Sequence, residues 1–462
     1  MTLIKSISGI RGTIGGSIGD NLTPLDTVKF ACAYGTWLME TSQKEHPTVV
    51  VGRDARISGA MIQQLVMNSL IGLGIHVIDL GLSTTPTVEV AVPMENADGG
   101  IILTASHNPK QWNALKLLNA KGEFINANEG KRVLDIAEDD AYTFAEVDEL
   151  GRITVNDTYI DIHIDEVLKL PLVDAESIRK SGFKAVVDAV NSTGGIAVPK
   201  LLRKLGVEVV ELYCEPTGHF PHNPEPLKEH LVDLSEKVIS ENADMGITVD
   251  PDVDRLAFIS ENGEMFGEEY TLVACADYVL GKTPGNTVSN LSSSRALRDI
   301  TEEHHSIYEA SAVGEVNVVQ LMKKNNAVIG GEGNGGIIYP QLHYGRDSLV
   351  GIALFLSLLA EKNCTVSELR NMYPSYYMSK NKIQLTPELN VDQILTDFQT
   401  KHQDEKVSTV DGVKVDFENS WVHLRKSNTE PIIRIYTEAK SQDKADELAE
   451  ETIHTLQAIA GI

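Results

Sequence analysis

Cysteine is scarce and scattered in this chain: Cys32, Cys214, Cys275 and Cys364 are the only four, and no two form a C-x-x-C pair. That spacing argues against a disulfide framework and against a thiolate zinc site, and it fits a reducing cytoplasm. Long apolar runs are missing too. The longest, Leu349 to Ala360, is too short to span a bilayer and predicts a buried helix, and the start M-T-L-I-K-S-I-S-G-I-R-G lacks the apolar stretch of a signal peptide. Positive charge is in deficit. Forty Lys and Arg stand against 66 Asp and Glu, a formal charge of −26, so the overall field repels nucleic acid and anionic membranes. Any anionic ligand must therefore be captured by a local basic cluster. No low-complexity tract interrupts the 462 residues, and that length predicts three or four globular domains.

What is present is a repeated plan: a short apolar strand, a small-residue turn, an amphipathic helix and another strand. Val49-Val50-Val51-Gly52 leads into a predicted helix over 59–73 and a strand over 74–80. Ala185-Val186-Val187-Asp188 leads through Asn191-Ser192-Thr193-Gly194-Gly195 into a helix over 196–205 and a strand over 206–212. A fainter copy has a strand over 286–290, a serine turn, a helix over 295–303 and a strand over 306–309. Such alternation predicts parallel or mixed sheets in α/β units. The last ninety or so residues differ, with strands predicted over 406–410, 413–417, 420–424 and 431–436 and a helix over 442–459, an α+β pattern. Boundaries fall near 153, 258 and 372, giving domains 1–153, 154–258, 259–371 and 372–462.

Four constellations carry chemistry. T-A-S-H-N-P, Thr104 to Pro109, follows the apolar Gly100-Ile101-Ile102-Leu103. Ser, Asn and Pro are ordinary turn formers, and the G-x-S-x-G elbow of a serine hydrolase is absent. What remains is a serine on a strand-end loop, placed to act as a nucleophile or to carry a phosphoryl group. D-P-D-V-D-R, Asp250 to Arg255, sets carboxylates at alternate positions between two apolar strands. On an extended segment these three point to one side and ask for a divalent cation. An EF-hand reading fails, because Arg255 stands where that loop needs glycine and strands flank the segment. G-G-E-G-N-G-G, Gly330 to Gly336, lets backbone approach a ligand and leaves Glu332 and Asn334 to bond sugar hydroxyls; it is no Walker loop, since no Gly-Lys-Ser/Thr follows. R-K-S-N-T-E-P-I-I-R, Arg425 to Arg434, gathers a guanidinium, hydroxyls and an amide into a phosphate cradle within an acidic protein. Arg11, Arg53, Arg56 and Lys116 are further basic candidates, each by itself compatible with a solvated charge.

Taken in order, these motifs resemble those of the α-D-phosphohexomutases, over essentially the whole chain. The resemblance implies three related α/β/α mixed-sheet domains plus a C-terminal α+β domain around a central cleft. It implies a phosphoserine at Ser106, with Mg²⁺ held by Ser106, Asp250, Asp252 and Asp254, and a hexose or glucosamine 1,6-bisphosphate as intermediate and activator. Arg11, His107 and Lys116 join Ser106 as implied catalytic residues, Lys116 as a candidate proton shuttle. Glu332, Asn334, Arg255, Arg425, Ser427, Asn428, Thr429 and Arg434 are the implied substrate contacts. The expected partner is a small sugar phosphate, with no nucleic acid or membrane, for a monomer or homodimer. Asn334 and Gly336 depart from the commoner G-E-x-S-G-H form of the sugar loop, and the archaeal-type sequences that share G-E-G-N-G-G favour glucosamine phosphate. A magnesium-dependent sugar phosphatase and a non-catalytic sugar-phosphate binder are the rival readings.

Overall fold

A computed structural model describes residues 2–6, 9–385, 389–426 and 432–461. The chain divides into two compact units, one of residues 1–278 with 334–370, the other of residues 279–333 with 371–462.

The first unit holds two sheets. In the larger, the strands run in spatial order Ile4–Ser6, Gly9–Thr13, Trp112–Leu118, Gly99–Leu103, Thr48–Arg53, His76–Leu82 and Ile153–Val155. Thr48–Arg53 lies parallel to both neighbours, and its Val49, Val50 and Val51 are fully buried because helices cover both faces. One face packs on the helices Pro24–Thr41 and Gly59–Gly72, the other on Thr85–Met94. The second sheet runs Leu256–Ser260, Met245–Val249, Lys184–Asp188 and Glu208–Leu212, with the first pair an antiparallel hairpin and the others parallel. The run Leu349 to Ala360 lies in the helix Ser348–Lys362, where Leu349 through Leu359 are all buried. Asp347 caps its start, Oδ1 accepting the N–H groups of Leu349 at 2.8 Å and Val350 at 3.3 Å.

In the second unit the strands Tyr308–Ser311, Thr287–Asn290 and Ile329–Glu332 lie side by side and parallel. The strand expected over 306–309 therefore sits two residues later, since pairing starts at Thr287 with Tyr308. A five-stranded antiparallel sheet follows, in the order Tyr377–Gln384, Ile432–Ala439, Trp421–Lys426, Val413–Asp416 and Lys406–Ser408. Two helices, Val391–Lys401 and Gln442–Ala460, close its apolar core. The strand Tyr377–Gln384 and the helix Val391–Lys401 are additions to the sequence reading. These are the three α/β/α domains and the α+β domain expected. No helix among the described residues is long and apolar enough to cross a membrane.

Candidate active site

The strand Gly99–Leu103 delivers its chain into a turn held by one buried arginine. The Arg56 guanidinium donates through Nε to Asp54 Oδ2 at 3.0 Å and through Nη1 to the carbonyls of Pro109 at 2.8 Å and Trp112 at 3.1 Å. Its Nη2 donates to the carbonyls of Ser106 and, at 2.6 Å, Asn108. Arginine has five N–H donors, and all are committed to fixing this loop. Asp54 also accepts from Thr104 Oγ1 at 2.6 Å, and Thr104 in turn accepts the Ser106 N–H at 3.0 Å. Ser106 sits in the left-handed region at φ 48°, a sparsely populated conformation for a non-glycine residue that such anchoring sustains. Its side chain is thereby aimed rather than free: Ser106 Oγ donates to Asp250 Oδ2 at 2.6 Å.

Asp250, Asp252 and Asp254 are fully buried, and their candidate ligand oxygens lie within 4.8 Å of one another. They converge by a route other than the one the sequence spacing suggests. The segment is a tight turn, not an extended strand: Val253 has φ 66°, and its N–H bonds back to the Asp250 carbonyl at 3.1 Å. Asp250 Oδ1 accepts the N–H groups of Asp254 and Arg255, both at 3.1 Å. Lys116, on the strand Trp112–Leu118, reaches Asp252 Oδ2 at 2.6 Å and Asp254 Oδ2 at 3.2 Å. Thr85 Oγ1 donates to Asp252 Oδ2 at 2.5 Å, and Arg346 Nη2 to Asp254 Oδ2 at 2.8 Å.

Charge is unevenly settled in this turn. Burial, together with the neighbouring Asp252 and Asp254, pushes the Asp250 carboxyl well above the usual range. Burial acts on Asp252 in the same sense, yet the Lys116 ammonium and hydrogen bond outweigh it and hold that carboxyl well below. Lys116 answers in kind, since Asp252 and Asp254 more than offset its burial and keep it an ammonium. Asp252 Oδ1 and Asp254 Oδ1 are buried with no hydrogen-bond partner. Buried acceptors without partners are costly, and three hard carboxylates with two such oxygens, next to a serine hydroxyl, fit a Mg²⁺-type cation.

Above the serine lies a cavity of about 170 Å³ whose lining includes Arg11, His107, Lys116, Arg255 and Arg346. Four of these are basic, a local positive basin in a protein of charge −26. Arg255 is braced through Nη1 by Glu225 Oε1 at 2.9 Å. His107 is kept neutral: burial, then the Arg255 charge, lower its pKa to about 3. Its Nδ1 stands 3.5 Å from Ser106 Oγ, at the far limit of a hydrogen bond. Arg53, one of the basic candidates, turns away to Gln63 Oε1 at 3.0 Å.

Asn334 belongs to the first unit, where its Oδ1 accepts the Gly336 N–H at 3.2 Å. The neighbouring Gly335, at φ 77°, must be glycine, because a Cβ there would stand 1.8 Å from the Leu256 carbonyl oxygen. Glu332 belongs to the second unit, at the end of the strand Ile329–Glu332. Its Oε1 accepts from Asn290 Nδ2 at 2.9 Å and from the Gly314 N–H at 3.1 Å. Arg425 and Arg434 are directly opposed across two strands, and Lys382 opposes Arg434 on the next. Like charges in register repel, so this basic row favours an anion; Asp411 Oδ2 meets part of the demand, 2.7 Å from Arg425 Nε. Ser427, Asn428 and Thr429 lie outside the described residues. Sequence reasoning missed Thr85, Arg346, Lys382 and Asp411 and gave Arg56 no role. Only Arg346 carried any signal, a basic residue beside the cap of an apolar helix.

A strand-end serine on an aspartate triad, in a chain of three α/β/α domains and one α+β domain, defines the phosphohexomutase class of isomerases. The comparisons carry the assignment further. The chain matches, in order, phosphoglucomutase/phosphomannomutase alpha/beta/alpha domain I over residues 3–143, domain II over 161–263, domain III over 267–376 and the C-terminal domain over 380–455. A phosphoglucomutase/phosphomannomutase of Thermococcus kodakarensis is 36% identical over 96% of this chain and 98% of its own. A probable phosphoglucosamine mutase of Methanopyrus kandleri is 33% identical over 96% of each. A phosphoglucosamine/phosphogalactosamine mutase of Sulfurisphaera tokodaii is 31% identical over 96% of each. Among solved structures, a phosphoglucomutase/phosphomannomutase family protein of Burkholderia thailandensis superposes with a TM-score of 0.85 at 25% identity, covering 99% of this chain and 97% of that one. The chain belongs to the phosphoglucomutase/phosphomannomutase family. It is a phosphohexomutase.

Proposed function

We propose that the enzyme interconverts the 1- and 6-phosphates of a hexosamine or hexose, glucosamine phosphate in preference, through phospho-Ser106 and a 1,6-bisphosphate intermediate. The observation that carries this reading is the fixed Ser106 hydroxyl, 2.6 Å from Asp250 Oδ2 beneath a cavity lined by basic side chains. Phospho-Ser106 gives its phosphoryl to the free hydroxyl of the bound sugar phosphate: the P–O bond to Oγ breaks as one to the sugar oxygen forms. The bisphosphate turns end for end and returns its other phosphoryl to Ser106. Such transfer depends mainly on positioning and charge neutralisation. Mg²⁺ bound by Asp250, Asp252 and Asp254 would supply charge neutralisation for the phosphoryl group on Ser106. Arg11, Arg255 and Lys116 draw the phosphoryl oxygens into the cavity. His107 and Lys116 line the same cavity and are assigned to moving the proton that the sugar hydroxyl loses.

Glu332 and Asn334 are assigned to hydroxyls presented in both substrate orientations, and Arg425, Ser427, Asn428, Thr429 and Arg434 to the phosphate that is not transferred. The parsing into domains 1–153, 154–258, 259–371 and 372–462 belongs to the same proposal. So does a cytoplasmic location, in keeping with four cysteines that are all unpaired. The preference for glucosamine rests on relatives named phosphoglucosamine mutases at 31–33% identity. A general hexose mutase is the second reading, favoured by the name of the 36% identical relative.

The deciding experiment measures turnover of glucosamine, glucose and mannose 1-phosphates with Mg²⁺ and the matching bisphosphate, Ser106→Ala serving as control. A kcat/KM advantage of about tenfold or more for glucosamine 1-phosphate, some 1.4 kcal/mol in transition-state binding, is expected. Equal or better use of glucose or mannose phosphate replaces that assignment with the general mutase. Release of inorganic phosphate as fast as isomerisation would make the protein a phosphatase instead.

A further inference from the structure

A second cluster of ligating side chains lies in the first unit. His163 from the helix Tyr159–Leu168 and His343 from the loop before the helix Ser348–Lys362 converge on one oxygen of Asp347. His163 Nε2 is 2.8 Å and His343 Nε2 3.1 Å from Asp347 Oδ2, with the two rings nearly perpendicular at 83°. His163 and Asp347 are at most 1% exposed and the His343 side chain 8%. The other Asp347 oxygen is committed to the helix cap, so its orientation is fixed.

His163 is also held from behind: its Nδ1 lies 3.0 Å from Thr87 Oγ1 of the helix Thr85–Met94. His343 Nδ1 is buried without a hydrogen-bond partner, 3.4 Å from Glu89 Oε2 of the same helix. Two observations favour a metal ion at this cluster. His163 Nε2 and His343 Nε2 point at the same oxygen from two directions, and the distal His163 nitrogen has an oxygen partner of the kind that orients a metal-bound imidazole. The three ligand atoms lie within the 4.8 Å span a single ion bridges.

We propose that His163, His343 and Asp347 form a binding site for a borderline divalent cation such as Zn²⁺, separate from the aspartate triad. Two imidazoles and a carboxylate make a three-ligand zinc set, completed by a fourth donor such as water, whereas Mg²⁺ prefers oxygen. Spreading of the ligand atoms by a few tenths of an ångström gives tetrahedral spacing at metal–ligand distances of about 2.0–2.1 Å. The role is structural. The site ties the helix Thr85–Met94, whose Thr85 bonds Asp252, to Asp347, whose neighbour Arg346 bonds Asp254. It holds together the two elements that support the triad from outside.

The test uses the untagged full chain produced with Zn²⁺ in the medium and, in parallel, with Co²⁺, followed by elemental analysis after gel filtration. Expected is about one zinc per chain in the wild type and in Asp252→Asn, and at least about fivefold less in His343→Gln and His163→Gln. The cobalt protein should show the intense visible bands of a tetrahedral site, unchanged by Asp252→Asn. Folded wild-type protein without bound zinc or cobalt would overturn the proposal and leave two imidazole N–H groups donating to Asp347. Metal lost in Asp252→Asn but kept in His343→Gln would overturn it equally, by moving the ion to the triad. Should the histidine variants fail to fold, the wild-type and Asp252→Asn cobalt spectra decide: tetrahedral bands in both uphold the site, and their absence from either removes it.

Discussion

Two sets of acidic groups, one in each unit, are treated in opposite ways. In the first unit, three aspartates share a buried turn in which two carboxylate oxygens have no partner and one carboxyl is pushed far up by burial and by its neighbours. In the second, Glu332 accepts from Asn290 and the Gly314 N–H, and Asp411 accepts from Arg425 and, at 3.0 Å, from the Val313 N–H. The first arrangement is unfavourable without a ligand; the second is satisfied by the fold. On the proposed function, incomplete satisfaction falls where the chemistry is done, and complete satisfaction where a group is held in position to bind.

The largest consequence of that contrast falls on Ser106. Ser106→Ala should lower kcat by at least about 10³-fold and abolish transfer of labelled phosphate to the protein, while the thermal midpoint stays near that of the wild type. Retained turnover would remove the serine from the chemistry. Asp252→Asn comes next, with a loss on the order of 10²–10³-fold in Mg²⁺-dependent kcat. Because the Lys116 ammonium holds Asp252 ionised in the fold, the change should also lower the urea midpoint modestly at neutral pH, Lys116 keeping its contact with Asp254; an unchanged midpoint would mean that the Lys116 pair adds nothing to stability. In the second unit, Asp411→Asn loosens Arg425 without touching the triad. KM for the sugar phosphate should rise by roughly tenfold with kcat altered far less; an equal fall in kcat would break the division of labour between the units.

The smallest effect is a pH dependence of stability in the second unit. His423 is held between Ser292 Oγ at 3.0 Å and the Asp411 carbonyl at 2.7 Å, and burial lowers its pKa to about 4. The unfolded chain takes up a proton near pH 6.5, the folded chain only near pH 4. Its contribution is therefore fully present above about pH 6.5 and declines as pH falls toward 4. Urea midpoints should correspond to a loss of about 1–2 kcal/mol between pH 7 and pH 5 that His423→Asn largely removes. An unchanged acid limb in the variant would shift the cause to other groups, His107 among them.

Much of this was legible in the chain because it is local. The repeated α/β plan, the buried helix from Leu349 onward and the grouping of Asp250, Asp252 and Asp254 depend on residues close in sequence. The way the aspartates converge was not legible, since nothing in D-P-D-V-D-R announces that Val253 adopts a positive φ and turns the segment. Thr85, Lys116 and Arg346 meet the triad from positions well over 80 residues away. Only the fold creates those contacts. The strand Tyr377–Gln384 eluded pattern reading because Y-M-S-K-N-K-I-Q has two lysines and few apolar residues, and its pairing with Ile432–Ala439 supplies what its own composition does not.

The Arg56 clamp has a kinetic corollary. In the proposed mechanism, a loop whose carbonyls are tied to one guanidinium would hold its place as the serine gains or loses a phosphoryl group, so little reorganisation energy would be spent on the protein side of either half-reaction. The serine oxygen would be a fixed origin, and turning the intermediate end for end would fall to the sugar. Forward and reverse transfers before a stationary nucleophile would then be near mirror images of each other, the symmetry that an isomerase working close to equilibrium requires.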